Sequence, residues 1–315
     1  MDYAEAVVSA GFARPLPVTA PSLCAMMFEA HQAMPNASEQ ENFRLQVRFF
    51  GVRGSIPTPT QENLGYGGNT TCLEVRTPTN DIFIIDGGTG VRNLGTELLR
   101  ESAGKNLNFR ILMTHFHWDH IQGLPFFGPL YAKSNQVTFL SGLSPQLVQD
   151  TLEGQMVGPY FPIPFHFLAA QKEFHQIGGG AAEYSGITIR PFEMNHPQGA
   201  FGYRFEAGGA VIVHASDFEH GDARFDAILR EYAKDADVLI CDAQFTPEEY
   251  ENRKGWGHST WLEGTRIARD AGAKRLVLFH HAPEHTDQDV AAIETQARAV
   301  FSATDAAKEG MSIRV

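Results

Sequence analysis

The chain has little of what a disulfide-stapled, membrane-crossing or polyanion-binding protein needs. Cysteine occurs three times in 315 residues, at Cys24, Cys72 and Cys241, an odd number with no close pair. That usage excludes a disulfide framework and a thiolate metal site, and fits buried free thiols in a reducing compartment. No stretch approaches the roughly eighteen uninterrupted apolar residues of a membrane-spanning helix. The first ten residues carry Asp2 and Glu5 and no basic residue, unlike a secretory signal. A cytoplasmic location is therefore expected. Positive charge is also short: 25 Lys and Arg stand against 37 Asp and Glu, a formal net charge of −12. Contacts along a nucleic-acid backbone need clustered Lys and Arg, and none are clustered here, so a nucleic-acid partner is not expected. A small anion is still compatible with this balance if bound cations supply the local positive charge.

The apolar share, 43%, is enough for one large domain or two modest ones. Residues 1–42 read differently from the rest. Pro15, Pro17, Pro21 and Pro35 interrupt two short helix-like patches at 4–10 and 23–33. This stretch is expected to be an N-terminal extension, either an arm packed on the domain or, functionally, a homodimer contact or a cover over a site. Strand-like patterning begins at Leu45, and 43–315 reads as one domain.

The densest chemistry lies in His115-Phe116-His117-Trp118-Asp119-His120, three imidazoles and a carboxylate in six residues. Packing does not call for that density, whereas imidazole and carboxylate are the ligand set of zinc and similar divalent ions. Phe109 to Met113 before it reads as a buried strand, so these residues leave a strand end. Residues two apart in an extended segment project to one side. His115 and His117 can therefore hold one ion, leaving Asp119 and His120 for a second. Paired cations suit the activation of a water and the polarisation of a phosphoryl or carbonyl group.

His115-x-His117-x-Asp119-His120 resembles the signature of the metallo-β-lactamase superfamily of hydrolases. The resemblance runs from about Leu45 to the C-terminus and implies a four-layer αβ/βα sandwich with a two-metal site along one edge of its sheets. It also implies the remaining ligands, each at the end of an apolar strand. His196 follows the strand 187–192 and joins His115 and His117 at the first ion. His280, after Leu276-Val277-Leu278-Phe279, joins Asp119 and His120 at the second. Asp217, after the strand 210–213, bridges the two. Asp86, after Ile82-Phe83-Ile84-Ile85, occupies the position of a residue that orients the metal loop through hydrogen bonds. The expected cofactor is thus two divalent ions per chain, zinc first, with manganese or iron as alternatives.

Gly202-Tyr203-Arg204 after His196 and His258-Ser259-Thr260 resemble the phosphodiesterase and tRNA 3′-processing branch. In that branch an acid and this His form a pair that serves the leaving group. Cys241-Asp242-Ala243-Gln244 stands where those enzymes have His-Glu-Ala-Thr, so Asp242 is the shorter acid expected beside His258. The resemblance implies Asp119, His258 and Asp242 as catalytic residues. No long basic, Gly-rich arm lies between His120 and His196, which favours a small phosphodiester such as a cyclic nucleotide. A ribonuclease-type endonuclease, another ester, thiolester or lactone hydrolase, and a metal-binding sensor with little turnover are the alternatives. Two further stretches stand out. The glycines of Tyr66-Gly67-Gly68-Asn69 either let backbone approach a ligand or another loop closely, with Asn69 as a candidate substrate contact, or form a tight turn between strands, and the apolar run 156–167 must cover either core or pocket.

Overall fold

The computed structural model describes residues 43–178 and 180–315. The N-terminal extension and Cys24 lie outside the described residues. Fourteen strands form two seven-stranded mixed sheets. The first, in order β14-β1-β2-β3-β4-β5-β6, comprises β1 (Gln46–Gly51), β2 (Cys72–Arg76), β3 (Ile82–Ile85), β4 (Asn108–Met113), β5 (Gln136–Ser141), β6 (Gln171–Gln176) and β14 (Ser312–Arg314). The second, in order β13-β12-β11-β10-β9-β8-β7, comprises β7 (Ala182–Tyr184), β8 (Ile187–Met194), β9 (Ala200–Ala207), β10 (Ala210–Ala215), β11 (Val238–Asp242), β12 (Leu276–Phe279) and β13 (Thr304–Ala306). Pairing is antiparallel from β1 to β3 and from β7 to β10, then parallel from β3 to β6 and from β10 to β13.

Alternation along the strands builds the layers. In β3, Phe83 and Ile85 enter the cluster between the sheets, while Ile82 and Ile84 face outward onto helices. In β11, Val238 and Ile240 face inward, while Leu239 and Cys241 face the opposite helical layer. Strands buried on both faces read as continuous apolar runs, as these do. The outer layers are α1 (Val91–Ser102) and α3 (Pro145–Gln155) on the first sheet, and α4 (Ala223–Tyr232), α6 (Trp261–Asp270) and α7 (Asp287–Val300) on the second. Two shorter helices, α2 (Trp118–Ile121) and α5 (Pro247–Tyr250), lie in connections. The result is the four-layer sandwich. Cys72 and Cys241 are buried free thiols in its two outer clusters. No helix among the described residues is long and apolar enough to cross a membrane.

Local chemistry sets the helix starts. Ser144 accepts from the Leu147 amide ahead of Pro145, and Thr286 forms a reciprocal capping box with Asp289 at α7. The apolar run 156–167 divides its duties. Met156 and Phe165 are buried, while Tyr160, Ile163 and Phe167 face solvent.

Candidate metal centre

Three residues just past strand ends adopt left-handed backbone that side chains rarely take: Asp86 after β3, Asp217 after β10 and His280 after β12. Such conformations persist only where the surroundings over-determine them, and they concentrate at functional sites. Here each turns a side chain into one edge of the sandwich. Donor atoms converge there in two groups that match the expected ligands, His115, His117 and His196 in one and Asp119, His120, Asp217 and His280 in the other, and a third group, Asp217, Asp242, His258 and His280, overlaps the second. Asp217 reaches from the second group toward the first. Asp217 Oδ1 lies 3.9 Å from the Nε2 atoms of both His115 and His196 and 3.4 Å from His280 Nε2, while its Oδ2 is 3.3 Å from His120 Nε2.

Every imidazole of these groups has its remote nitrogen held. His115 Nδ1 meets Thr114 Oγ1 at 3.0 Å, and His117 Nε2 meets Gln198 Oε1 at 3.0 Å. His196 Nδ1 meets the Gly257 carbonyl at 2.8 Å. His120 Nδ1 meets Asp86 Oδ2 at 2.8 Å, and His280 Nδ1 meets Gln244 Oε1 at 2.8 Å. Bonds of this kind fix ring orientation and tautomer, as they do for metal-bound histidines. Asp86 does more than hold His120. It also accepts from the backbone amide and the hydroxyl of Thr114, so one buried carboxylate braces the whole 114–120 loop.

The donor set fits divalent cations on direct observation. His196 donates its only proton as a neutral ring to a carbonyl, leaving the Nε2 lone pair to face His117 Nδ1 at 3.0 Å. With His117 donating to Gln198, two lone pairs oppose each other there. The Nε2 atoms of His115 and His120 are buried and have no hydrogen-bond partner among the described residues. Burial pushes the protonation of His115 and His196 down, which keeps them neutral and suited to ligation. For Asp217, burial pushes the carboxyl up, but His120 and His280 more than offset it and hold it well below the usual carboxylate range. Ionised carboxylates taken out of water cost several kcal/mol each unless positive charge faces them. Cations at this edge would satisfy the orphan nitrogens and that negative charge together.

Beside these groups, His258 Nδ1 is 2.9 Å from Asp242 Oδ2, and the His258 ring stacks on His280 with centroids 4.9 Å apart. The shorter acid thus still reaches its partner. Asp242 is itself over-determined, accepting from the amides of Asp217, Gln244 and Ser259. His214 and His281 point elsewhere. Both are buried, His281 bonds to the Ala307 carbonyl, and burial pushes each down to about 3. His285 is paired with Glu249. The Asn69 side-chain amide nitrogen bonds Glu309 Oε2 at 2.9 Å.

Several contributors have no sequence signature. Gln244 and Gln198 hold ligand rings. Ser55, at φ 64°, donates its amide to Asp119 Oδ2 at 2.7 Å. Gly54 leaves room for the His280 ring, which a Cβ there would meet at 2.4 Å. Arg53 is fully buried and donates to the carbonyls of Gly67, Ala282 and His285, tying the 53–55 loop to the segment that carries His280.

The chain matches the β-lactamase superfamily domain over residues 83–281, a span that contains all seven donors. It is 24% identical to ribonuclease BN of Cronobacter sakazakii, an alignment covering 86% of this chain and 100% of that one. Among solved structures, zinc-bound PqqB of Methylobacterium extorquens superposes with a TM-score of 0.64 at 15% identity, covering 86% of this chain and 100% of that chain. A diphosphatase from the PhnP family superposes at 0.63 with 20% identity, covering 86% and 98%. With the sandwich and the converging donors, the domain match assigns the protein: it belongs to the metallo-β-lactamase-fold superfamily of metal-dependent hydrolases.

Proposed function

We propose that the protein is a dinuclear phosphodiesterase acting on a small anionic phosphodiester, with His115, His117 and His196 holding one ion, Asp119, His120 and His280 the other, and Asp217 both. Two divalent ions bound there would activate a water and neutralise charge growing on the phosphoryl oxygens. The observation that carries the phosphodiester reading is the Asp242–His258 pair beside the donors. A departing alkoxide needs a proton, and a buried, oriented imidazole next to the metal edge is suited to deliver it. Thiolesters and lactones call for that donor less. Asp119 Oδ2, which accepts from the Ser55 amide, lies 3.2 Å from His280 Nε2 and 3.4 Å from His120 Nε2, so that oxygen would face the second ion and leave Oδ1 for the attacking water.

A ribonuclease reading has its own support in relatives named ribonuclease BN and ribonuclease Z. Charge favours the small substrate. Residues 121–195 carry three basic side chains, Lys133, Lys172 and Arg190, against five acidic ones. Affinity for an RNA backbone rests on such contacts. The expected outcome is turnover of a bis-aryl phosphodiester and of small phosphodiesters, with no site-specific cleavage of precursor tRNA at physiological salt. Efficient 3′ cleavage of that RNA overturns the substrate class while leaving the metal centre intact.

Reconstituted protein is expected to hold two divalent ions per chain, zinc with highest affinity. Elemental analysis finding one ion or none sinks the seven-donor assignment. Because the unfolded chain does not assemble these donors, zinc at about a hundred times its Kd should add about 2.7 kcal/mol per site to stability. Chelator should lower the melting temperature accordingly.

A further inference from the structure

Glu219 lies two residues beyond Asp217, on the segment that leaves β10, and its carboxylate is aimed at a loop distant in sequence. Oε1 accepts from the Tyr250 hydroxyl at 3.0 Å and the Gly255 amide at 2.6 Å, and Oε2 accepts from the Gly257 amide at 2.8 Å. The Glu219 backbone is fastened as well. Its amide donates to the Asn195 carbonyl at 2.8 Å, and its carbonyl accepts from Asn195 Nδ2 at 2.8 Å. One residue thus ties together the segments that carry His196, Asp217 and His258.

The loop it grips needs gripping. Gly255 and Gly257 both sit at positive φ, 86° and 88°, and 254–256 are exposed. Glycines in that conformation lose much freedom on ordering, so an ungripped loop would sample many states. Gly257 has no room for a side chain either, since a Cβ would lie 2.3 Å from Pro197 and 2.4 Å from His196 Nδ1. Its amide bonds Glu219 while its carbonyl receives His196 Nδ1, and the next residue is His258. Where Glu219 places Gly257, it places both rings.

We propose that Glu219 is a positioning residue that aligns His258 with the leaving oxygen and fixes the orientation of His196 toward its ion. This rests on the phosphodiesterase reading for His258, though not for His196. A support needed only for folding would act on stability. A positioning residue must also act on the protonation step and on the geometry around the metal.

The test compares Glu219→Ala, Glu219→Gln and the wild type as full-length protein, zinc-loaded for kinetics and cobalt-substituted for visible absorption. Glu219→Ala is expected to lower kcat on an alkyl phosphodiester by roughly ten- to a hundredfold, the scale of a misplaced catalytic group, with KM little changed. The loss on a nitrophenyl ester should be several-fold smaller, and the cobalt ligand-field bands should shift as His196 loses its fixed carbonyl. Glu219→Gln, which keeps an acceptor oxygen, should recover much of both. Wild-type kcat with an unshifted spectrum overturns the proposal, and so does an equal loss on both esters with an unshifted spectrum and a lowered melting temperature. If the wild type cleaves neither ester, the phosphodiesterase reading fails by itself. The cobalt spectrum of Glu219→Ala then decides, a shift supporting the His196 role and no shift removing it.

Discussion

Asp217→Asn is expected to release at least one of two ions per chain and to lower turnover on the order of a thousandfold or more, because charge stabilisation and water activation depend on the same pair of ions. Asn is the informative replacement. Residue 217 sits at φ 61°, a region where Asn is tolerated and where Ala would add backbone strain unrelated to metal. The substitution also keeps the side chain's size while removing the charge that His120 and His280 hold in place. Asp217 Oδ1 approaches imidazoles of both donor groups, so losing its charge should weaken both ions unequally rather than one alone. Retention of two ions with wild-type affinity would falsify the bridging role. The comparison with His258→Ala sharpens it, since that variant should keep its metal: His258 Nδ1 is already bonded to Asp242 and lies 3.9 Å from Asp217 Oδ1.

The sequence made the candidate donors visible for a structural reason. They follow apolar strands, and strands buried on both faces leave continuous runs such as Leu276-Val277-Leu278-Phe279 before His280, so strand ends can be located to within a residue or two. Four donors also lie within six residues, where spacing alone suggests shared ligation. What stayed hidden acts over long sequence distances or through backbone. Gln244 holds His280 from 36 positions away and Gln198 holds His117 from 81. Arg53 bonds carbonyls 229 and 232 positions away, and any residue type has a carbonyl to offer. The glycines before Asn69 mark a close approach whose partner is equally remote, Glu309, 240 positions on from Asn69. Strand order was likewise beyond a single sequence. The pairing of β14 beside β1 joins the two ends of the described chain, and no local pattern announces it.

His258→Ala should leave two ions in place while cutting turnover of a phosphodiester with a poor, alkoxide-like leaving group by roughly a hundredfold or more, the usual worth of general-acid catalysis. A nitrophenolate departs without needing a proton, so the loss on a nitrophenyl ester should be much smaller. The structure sharpens this expectation in two ways. Asp242 receives the Nδ1 side of the ring, which leaves Nε2 as the nitrogen to carry a proton outward. The stacking of the His258 ring on His280, with centroids 4.9 Å apart, keeps that ring at the edge where the donors converge. Asp242→Asn should show the same leaving-group pattern more weakly if the acid only orients the ring. Its effect cannot be confined to His258, however, because Asp242 also receives the amide of Asp217 and of Gln244, which holds His280. Some metal loss in Asp242→Asn is therefore expected, while His258→Ala should show none. Equal losses on both esters in His258→Ala, or loss of metal in that variant, would mean that His258 binds metal or positions substrate, and the protonation role would have to be withdrawn.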